Sequence, residues 1–406
     1  MRYLLIFLII IVSSFSLAAS DGKSGFQFER ERRSVIIPIE VRNNLAVVPV
    51  FINDHGPFYF ILDTGVRTSI LTEPALAHML GLDFDDYIYI YGLGGEGIVQ
   101  AVLSTGVDIS LPGIRGSNMN MIIIPEDLLK FSEVFGFPVY GILGYDFFRE
   151  FPVEISYANQ RMRVFRNPDY RIGRRSQVVP MQIVGGKPYI QVSLVGKNND
   201  TLTTNLLLDL GASHPIYLNR NYIHMSDKTI SSFLGKGVSG NLMGEIGRIK
   251  RFIIGDIEID KPLVFYPDAE FLVFNEQEIH WEGLIGGAII NRFNIIIDYR
   301  SEHIVLRPGR HFSRPFRSGL SGIEIVARGD FLDQFIVHYV RPGSASYEAG
   351  ILSGDQIIRL NHMRTHELNM EEILDEITSR EGYSILMDIK RNDEILRKHF
   401  RLREDL

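Results

Sequence analysis

Two aspartates that end similar apolar stretches are the residues best suited to chemistry in this chain. Residues 60–65 read FILDTG and residues 206–211 read LLLDLG, so Asp63 and Asp209 each follow an apolar run. Burying a lone ionised carboxylate is unfavourable, so a strand that delivers one into the interior is expected to use it. If the two strands lie side by side, Asp63 and Asp209 become neighbours. Neighbouring carboxylates tend to share one proton.

The two stretches belong to an internal repeat. Downstream of the aspartates, the sequence GILG ends at Gly144 and GLIG ends at Gly286. The aspartates are 146 positions apart and these glycines are 142 positions apart. Loops absorb such small differences in length at little cost. The repeat therefore predicts two lobes of one fold in a pseudo-twofold arrangement, because a single block would expose the face that its partner covers.

Strand and turn signals surround the first aspartate. Residues 34–41 and 45–51 read as β-strands, residues 53–56 (NDHG) as a turn, and the next strand leads into Asp63. Residues 91–97 (YGLGGEG) read as the glycine-rich tip of a hairpin. This tip also matches G-x-G-x-x-G, but a strand-like run follows it instead of the helix that would hold a pyrophosphate, so we reject a dinucleotide site.

These signals predict a mainly β chain with two pseudo-symmetric β lobes and a small α+β unit at the C-terminal end. The predicted segments are a signal peptide (1–19), a polar linker (20–33), the first lobe (34–170), the second lobe (176–308), a basic linker (309–317) and the C-terminal unit (318–406). In the last unit we expect two strands, helices at 345–349 and 370–379, and a final hairpin that turns at 392–393.

Composition limits the possible functions. The formal charge of −7 and the pI near 5.9 argue against a nucleic-acid partner, which usually requires a basic surface. The chain contains no cysteine, which excludes disulfides, thiolate metal sites and a cysteine nucleophile. His214 lies beside the second motif without a recognisable metal-ligand spacing, so we interpret it as structural and expect no metal.

The first residues predict export. Arg2 precedes an apolar run over residues 4–12, and residues 16–19 (SLAA) are small enough for cleavage. This is the pattern of a secretory signal peptide, and it is short for a membrane span. The alternative is an uncleaved N-terminal anchor, which would be the chain's contact with a membrane. Both interpretations place the working part of the chain outside the cytoplasm.

The combination of D-T-G with an apolar-apolar-glycine sequence about 80 residues later resembles the retropepsin/pepsin family of aspartic peptidases. Within it, the chain is most similar to bacterial exported members with two fused lobes and a C-terminal PDZ domain. The resemblance implies an acid-protease fold and hydrolysis of extended peptide or protein substrates. It implies no metal and no cofactor, because water is the nucleophile.

The resemblance also implies residue roles. Asp63 and Asp209 would form the catalytic dyad, with one carboxylate ionised and the other protonated. Gly65 and Gly211 would let the backbone turn tightly beside each aspartate, and the strands before Gly144 and Gly286 would cross behind them. The residues implied to support the dyad are Thr64, Gly65 and Gly211. The residues implied to form the flap over a peptide are Tyr91, Gly92, Leu93, Gly94 and Gly95, with residues 235–244 as a looser second flap.

Two positions depart from the family pattern. Leu210 stands where the family usually has Thr or Ser, whose hydroxyl helps to join the two aspartate loops. Thr64 must therefore act without its twin. Arg67 places a positive charge after the first motif, and we expect it to lower the first apparent pKa of the pair.

The C-terminal unit resembles a PDZ domain of the bacterial-protease kind. The resemblance rests on residues 341–345 (RPGSA), 349–351 (AGI) and 353–358 (SGDQII), followed by Asn361. It implies that a C-terminal peptide ligand binds as an added strand. The residues implied to bind its carboxylate are Gly319, Leu320, Ser321, Gly322 and Ile323. The alternative is that this unit only packs on the lobes.

Two further functional hypotheses remain. Leu210 and Arg67 favour a catalytically weak protein that keeps the cleft for peptide binding. A scaffold that works only through its C-terminal unit is the third possibility, and it predicts that function survives removal of the lobes.

Overall fold

The computed structural model describes residues 24–84, 86–91, 98–124, 128–237, 240–268 and 282–406, and the backbone of Ile11–Val12. The predicted signal segment lies outside these residues apart from Ile11–Val12. Among the helices that the structure describes, none is long and apolar enough to cross a membrane.

The first lobe is built mainly from antiparallel strands. Its described strands are β1 (Ile11–Val12), β2 (Gly25–Phe28), β3 (Ser34–Pro38), β4 (Glu40–Arg42), β5 (Leu45–Ile52), β6 (His55–Leu62), β7 (Ile70–Leu71), β8 (Asp86–Tyr91), β9 (Ile98–Leu111), β10 (Ile114–Ile123), β11 (Gly141–Leu143), β12 (Val153–Ser156) and β13 (Arg161–Phe165). Its described helices are α1 (Pro74–Met79), α2 (Phe131–Phe135), α3 (Tyr145–Phe148) and the 3-10 turn Tyr157–Asn159.

The second lobe repeats this organisation. Its described strands are β14 (Gln177–Pro180), β15 (Gln182–Val184), β16 (Lys187–Val195), β17 (Thr201–Leu208), β18 (Ile216–Leu218), β19 (Thr229–Gly237), β20 (Gly240–Arg248), β21 (Arg251–Ile254), β22 (Ile257–Asp260), β23 (Leu263–Pro267), β24 (Gly283–Ile285), β25 (Phe293–Asp298) and β26 (His303–Pro308). Its described helices are the 3-10 helix Arg220–Met225 and α4 (Gly287–Ile290).

The C-terminal unit has its own sheet and core, as the sequence predicts. Its described strands are β27 (Ile323–Arg328), β28 (Gln334–Val340), β29 (Gln356–Leu360), β30 (Met363–Arg364), β31 (Ser384–Arg391) and β32 (Glu394–Arg401). Its described helices are α5 (Ala345–Glu348), the 3-10 turn Thr365–Glu367 and α6 (Met370–Ile377). A capping box between Asn369 and Glu372 begins α6.

Equivalent sheets carry the two aspartates. The strand order is β8-β9-β10-β7-β11-β6-β5-β4 in the first lobe and β19-β20-β23-β18-β24-β17-β16-β21-β22 in the second. The strand before each aspartate runs parallel to the strand predicted to cross behind it, with Leu62 opposite Leu143 and Leu208 opposite Ile285. The mainly β prediction with two similar lobes is confirmed.

A third sheet joins the lobes. Its order is β14-β26-β25-β12-β13-β3, so three strands of the second lobe lie beside their three counterparts from the first. β12 of the first lobe pairs antiparallel with β25 of the second, with Ile155 opposite Ile295. Both isoleucines are fully buried. This shared sheet fixes the lobes relative to each other, because separating them would break its hydrogen bonds and expose its core.

The predicted polar linker over residues 20–33 is wrong at β2. This strand pairs with β10, and Phe26 is buried with its ring edge-on to Phe147 at 5.4 Å. Residues 29–33 are exposed, as expected for a charged run. The charged run after Phe28 led to the prediction of a linker. Phe26 and Phe28, which alternate with a polar residue, indicate a strand instead.

The basic linker over residues 309–317 is held against the second lobe. Arg292, which is 2% exposed, donates hydrogen bonds to the carbonyls of Phe312 (2.7 Å) and Arg314 (2.5 Å). Its guanidinium carbon lies 3.6 Å from the centre of the Phe316 ring, a cation–π contact. The linker therefore positions the C-terminal unit.

Candidate active site

Asp63 and Asp209 meet between the lobes. Each aspartate directly follows its strand, and its N–H donates to the neighbouring parallel strand: Asp63 to Leu143 O (3.0 Å) and Asp209 to Ile285 O (2.9 Å). The exposed fractions are 1% for Asp63 and 0% for Asp209. The equivalent strands thus deliver both predicted carboxyls to one buried place.

The two glycines of the motifs leave room for the opposite carboxyl. A Cβ placed on Gly211 would lie 2.1 Å from Asp63 Oδ2, and one on Gly65 would lie 3.3 Å from Asp209 Cγ. Neither glycine has a positive φ. Glycine is therefore required here mainly for close approach, whereas the sequence interpretation emphasised a tight turn.

Backbone N–H groups orient both carboxyls. Gly65 N–H donates to Asp63 Oδ1 at 2.6 Å, and Gly211 N–H donates to Asp209 Oδ1 at 2.8 Å. Asp209 also receives a hydrogen bond from the N–H of Ala212. The Oδ2 atom of each aspartate is buried and receives no N–H or O–H from another described residue. The two carboxyls are close enough to hydrogen-bond to each other, which is the contact that a shared proton requires.

The environment separates the proton affinities of the two carboxyls. Burial raises the pKa of Asp63 well above its usual range, and the charge of Asp209 raises it further. Burial also raises the pKa of Asp209, but the N–H groups of Gly211 and Ala212 oppose this by stabilising its charge. The pair therefore shares one proton, and the N–H groups of Gly211 and Ala212 favour the negative charge on Asp209.

Thr64 connects the two aspartate loops. Its hydroxyl donates to Leu208 O at 2.5 Å and accepts from Leu210 N–H at 3.1 Å, so one side chain binds the other lobe twice. The side chain at position 210 is fully buried in the hydrophobic core. The brace is thus one-sided, as the replacement of Thr or Ser by Leu210 predicts.

The expectation that Arg67 lowers the pKa of the pair stays a prediction, because Arg67 is not among the main causes of either shift. Arg67 is exposed, and its charge, after that of Arg149, lowers the pKa of Asp146, which burial raises to about 6. The cation that lowers the pKa of both Asp63 and Asp209 is Lys187, the first residue of β16. Sequence reasoning missed Lys187 because it lies at the start of β16, whereas the second motif follows the next strand, β17. The two are therefore far apart along the chain.

Two tyrosines near the pair were also missed as site residues. Burial raises the pKa of Tyr299, and the charges of Tyr145, Asp63 and Asp209 add to this. Burial and then the charge of Asp209 raise the pKa of Tyr217. The sequence offered one signal, since Tyr299 directly follows β25 as Tyr157 directly follows the equivalent strand β12.

His214 lies in a buried polar contact beside the second loop. Its Nδ1 is 3.1 Å from the Tyr217 hydroxyl, which donates to Leu234 O at 2.9 Å. Burial lowers the pKa of His214 well below its usual range. Among the described residues, no group of three or more His, Cys, Asp or Glu side chains could hold a metal ion.

The arms of the predicted flap form a hairpin. β8 pairs antiparallel with β9, and Tyr91 lies opposite Ile98 at the end nearest the tip. The predicted flap residues Gly92, Leu93, Gly94 and Gly95 lie outside the described residues. In the second lobe, β19 and β20 form the equivalent hairpin, with Gly237 opposite Gly240.

The predicted carboxylate-binding loop lies directly before and at the start of β27. Its residues are Gly319, Leu320, Ser321, Gly322 and Ile323. Gly322 N–H donates to Gly319 O (3.1 Å), and Ile323 N–H lies 3.4 Å from Ser321 Oγ. Leu320 and Ser321 are each 1% exposed. In this structure the loop is closed on itself and buried.

Comparison with known proteins finds a family match within the first lobe. Residues 48–147 match the model of an aspartyl protease family, a range that includes Asp63 and Gly144. The matched range ends before the second motif, so Asp209 joins the site on structural grounds. No curated protein matches the chain.

Proposed function

We propose that this chain is an aspartic endopeptidase in which Asp63 and Asp209 act together. The observation that carries the proposal is the meeting of two buried carboxyls at the ends of equivalent strands. The match of residues 48–147 to an aspartyl protease family supports peptidase chemistry at the level of the family. The proposal assigns this peptidase chemistry to Asp63 and Asp209.

In the proposed reaction, ionised Asp209 accepts a proton from a water molecule that lies between the carboxyls. The water oxygen attacks the carbonyl carbon of the scissile bond while protonated Asp63 donates its proton to the carbonyl oxygen. The tetrahedral intermediate then collapses, its C–N bond breaks, and the leaving nitrogen takes the proton from Asp209. Asp63 regains its proton from the intermediate, so the pair returns to its starting state.

The hairpins suggest how the substrate is held. Tyr91 and the residues that follow it are proposed to close over an extended peptide, with β19 and β20 on the opposite side. An extended substrate is expected because its backbone can hydrogen-bond to strands on both sides of a cleft. The arms of these hairpins support the proposal.

We further propose that the enzyme works after export and that its C-terminal unit recruits peptides or regulates access in the manner of a PDZ domain. The signal-like residues 1–19 support export. The order of strands and helices in residues 318–406, with β27 at the sheet edge, supports strand addition.

One observation favours a second candidate, a peptide-binding protein with little turnover. Leu210 leaves the two aspartate loops with the hydroxyl of Thr64 alone as their brace. A looser pair would hold the water less accurately, and small errors in position lower rates strongly. The cleft would still bind a peptide.

The deciding experiment is incubation of the protein with a diverse peptide mixture from acidic to neutral pH. Wild type is compared with Asp63→Asn, Asp209→Asn and Asp298→Asn. Asp298 is a fully buried control that accepts hydrogen bonds from the N–H groups of Arg300 and Ser301.

We expect wild type and Asp298→Asn to cleave the same bonds and both dyad variants to lose at least ~10²-fold in rate. Cleavage that survives in either dyad variant contradicts the proposed mechanism. Peptide binding by wild type without cleavage at any pH would establish the second candidate.

A further inference from the structure

The C-terminal unit has a face suited to binding an added strand. β27 lies at one end of the sheet order β27-β28-β29-β31-β32, so among the described strands none pairs with its other edge. An unpaired edge presents N–H and C=O groups that can accept another chain segment. Here we call the space between this edge and helix α6 the β27–α6 groove.

Helix α2 of the first lobe fills this groove. α2 packs against β27. Gly136, which ends α2 with φ +57°, sits so closely that a Cβ on it would lie 2.6 Å from Met370 Cβ and 3.6 Å from Ala327 Cβ. Ala327 belongs to β27 and Met370 begins α6, so the backbone of Gly136 lies between the two walls of the groove.

Charges on both walls match charges on the first lobe. Arg42 pairs with Glu371 of α6 (Nη1–Oε2 2.9 Å), and Glu133 of α2 lies 3.5 Å from Arg328 of β27 (Oε2–Nε). Partly exposed pairs contribute little stability individually. Their value here is to fix the orientation, because each pair lies on a different wall.

The second lobe contacts the C-terminal unit beside the groove. The Phe233 ring, in β19, is 5.5 Å from the ring of His338 and 5.7 Å from that of Tyr339 in β28. Arg248 pairs with Glu404 at 2.6 Å. Residues of β19 and β23 line one cavity together with residues of the predicted carboxylate-binding loop. Both lobes thus contribute to one docking interface.

We propose that the β27–α6 groove is a docking surface whose occupant is helix α2 with Gly136, and that this contact closes the groove to any other peptide. Docking and peptide capture use the same strand edge, so a peptide that adds to β27 must first displace α2. By linkage, anything that loosens the docking raises the apparent affinity for the peptide, and by the same factor as long as the docked state dominates.

Helix α2 is also connected along the chain to a strand of the candidate active site. α2 leads through residues 137–140 into β11, the strand that pairs with β6 behind Asp63. Phe135 and Ile142 belong to the same hydrophobic cluster. Occupancy of the groove is thus mechanically connected to the strand that supports the first carboxyl. The docking proposal itself does not depend on catalysis.

The test uses Gly136→Ala with Gly81→Ala as the matched control. Both glycines have similar positive φ values, +57° and +61°, but a Cβ on Gly81 meets no atom within 4 Å. Alanine therefore introduces the same backbone strain at both sites, and only Gly136→Ala also clashes with Met370. Amide hydrogen exchange is measured in the full chain for residues 131–137 and 323–328.

We expect exchange in both segments to rise at least ~10-fold in Gly136→Ala and to stay at the wild-type rate in Gly81→Ala. A rise confined to residues 131–137 would show local unfolding of α2 and would overturn the docking proposal. Unchanged exchange in both segments would overturn it as well.

A charge variant guards against misfolding of the glycine variants. Glu371→Gln removes the partner of Arg42 on α6, and Glu40→Gln, which removes the carboxylate that pairs with Arg42 within the first lobe, is the control. We expect faster exchange in residues 323–328 for Glu371→Gln than for Glu40→Gln. Equal exchange in the two variants contradicts the proposal.

The competition is tested with a mixture of ten-residue peptides of random sequence and free C-termini. We expect retention of peptides by Gly136→Ala to exceed that by wild type and by Gly81→Ala at least ~5-fold. Equal retention by all three proteins, or no retention by Gly136→Ala, would overturn the claim that α2 closes a peptide site. The measurement does not involve cleavage, so it is independent of the proposed peptidase function when made with Asp209→Asn in every chain.

Discussion

The first and second aspartate loops occupy equivalent positions in equivalent sheets, but they make different hydrogen bonds. The first loop supplies Thr64, which makes both hydroxyl hydrogen bonds between the loops. The second supplies Leu210, which is buried in the core. Asp63 receives one loop N–H, whereas Asp209 receives two. The first loop therefore provides the brace, and the second offers more N–H groups to a negative charge.

This difference shows that a pseudo-symmetric fold does not by itself decide which carboxyl is the acid and which is the base. The backbone repeat brings two carboxyls together, because parallel strand pairs end at the same place in each lobe. The repeat alone would give the carboxyls equal proton affinities. The additional N–H donor to Asp209 removes this equality, so acid and base roles follow from the residues that break the symmetry.

The largest difference between the loops is expected at their glycines. Gly211→Ala places a methyl group 2.1 Å from Asp63 Oδ2, so the reacting atom must move, whereas Gly65→Ala creates contacts of 3.1 to 3.3 Å. We expect a fall in kcat/KM of at least ~10²-fold for Gly211→Ala and ~10-fold or less for Gly65→Ala. Steady-state kinetics on one peptide measure both. Equal losses would show that the loops are interchangeable.

The brace is tested next with Thr64→Val, which keeps the shape and removes the hydroxyl. The buried Leu208 carbonyl and Leu210 N–H then lose their partner, which costs about 2 kcal/mol or more of unfolding free energy. Thr64→Ser keeps the hydroxyl and is the control. Chemical denaturation gives the free energies, and equal values for Val and Ser would contradict a role for the hydroxyl.

The smallest effect is expected from the charges around the pair. Activity requires one proton on the two carboxyls, and Lys187 lowers both pKa values. Lys187→Gln removes this charge, so both values rise and the pH–rate profile moves to higher pH. Arg67→Gln is the control and should leave the profile in place. A shift with Arg67→Gln alone would reverse our assignment of the cation.

Much of the fold follows from local sequence patterns. The strands that lead into Asp63 and Asp209, the strands behind them and the helices of the C-terminal unit were predicted from apolar runs, glycines and turn residues. The asymmetry at Leu210 was also visible, because a residue type without a hydroxyl cannot repeat the contacts of Thr64. Such features depend on nearby residues, which a sequence displays directly.

What the sequence did not reveal depends on contacts between distant segments. Lys187 affects the pair from another strand, and Arg67, which is next to the motif, points to solvent. Phe26 joins the core only because β10 offers an edge. The groove at β27 reads as an open peptide site until the structure shows Gly136 inside it. Spacing along the chain carries no information on these partners.

The central claim is that Asp63 and Asp209 share one proton, and titration of their carboxyl carbons by ¹³C NMR tests it most directly. We expect two coupled steps in wild type, with one proton retained well above the usual range for aspartate, because burial and the neighbouring charge raise the pKa of Asp63. In Asp63→Asn, a single step of Asp209 should remain, below the upper wild-type step. Two independent steps at ordinary aspartate values in wild type would contradict the account.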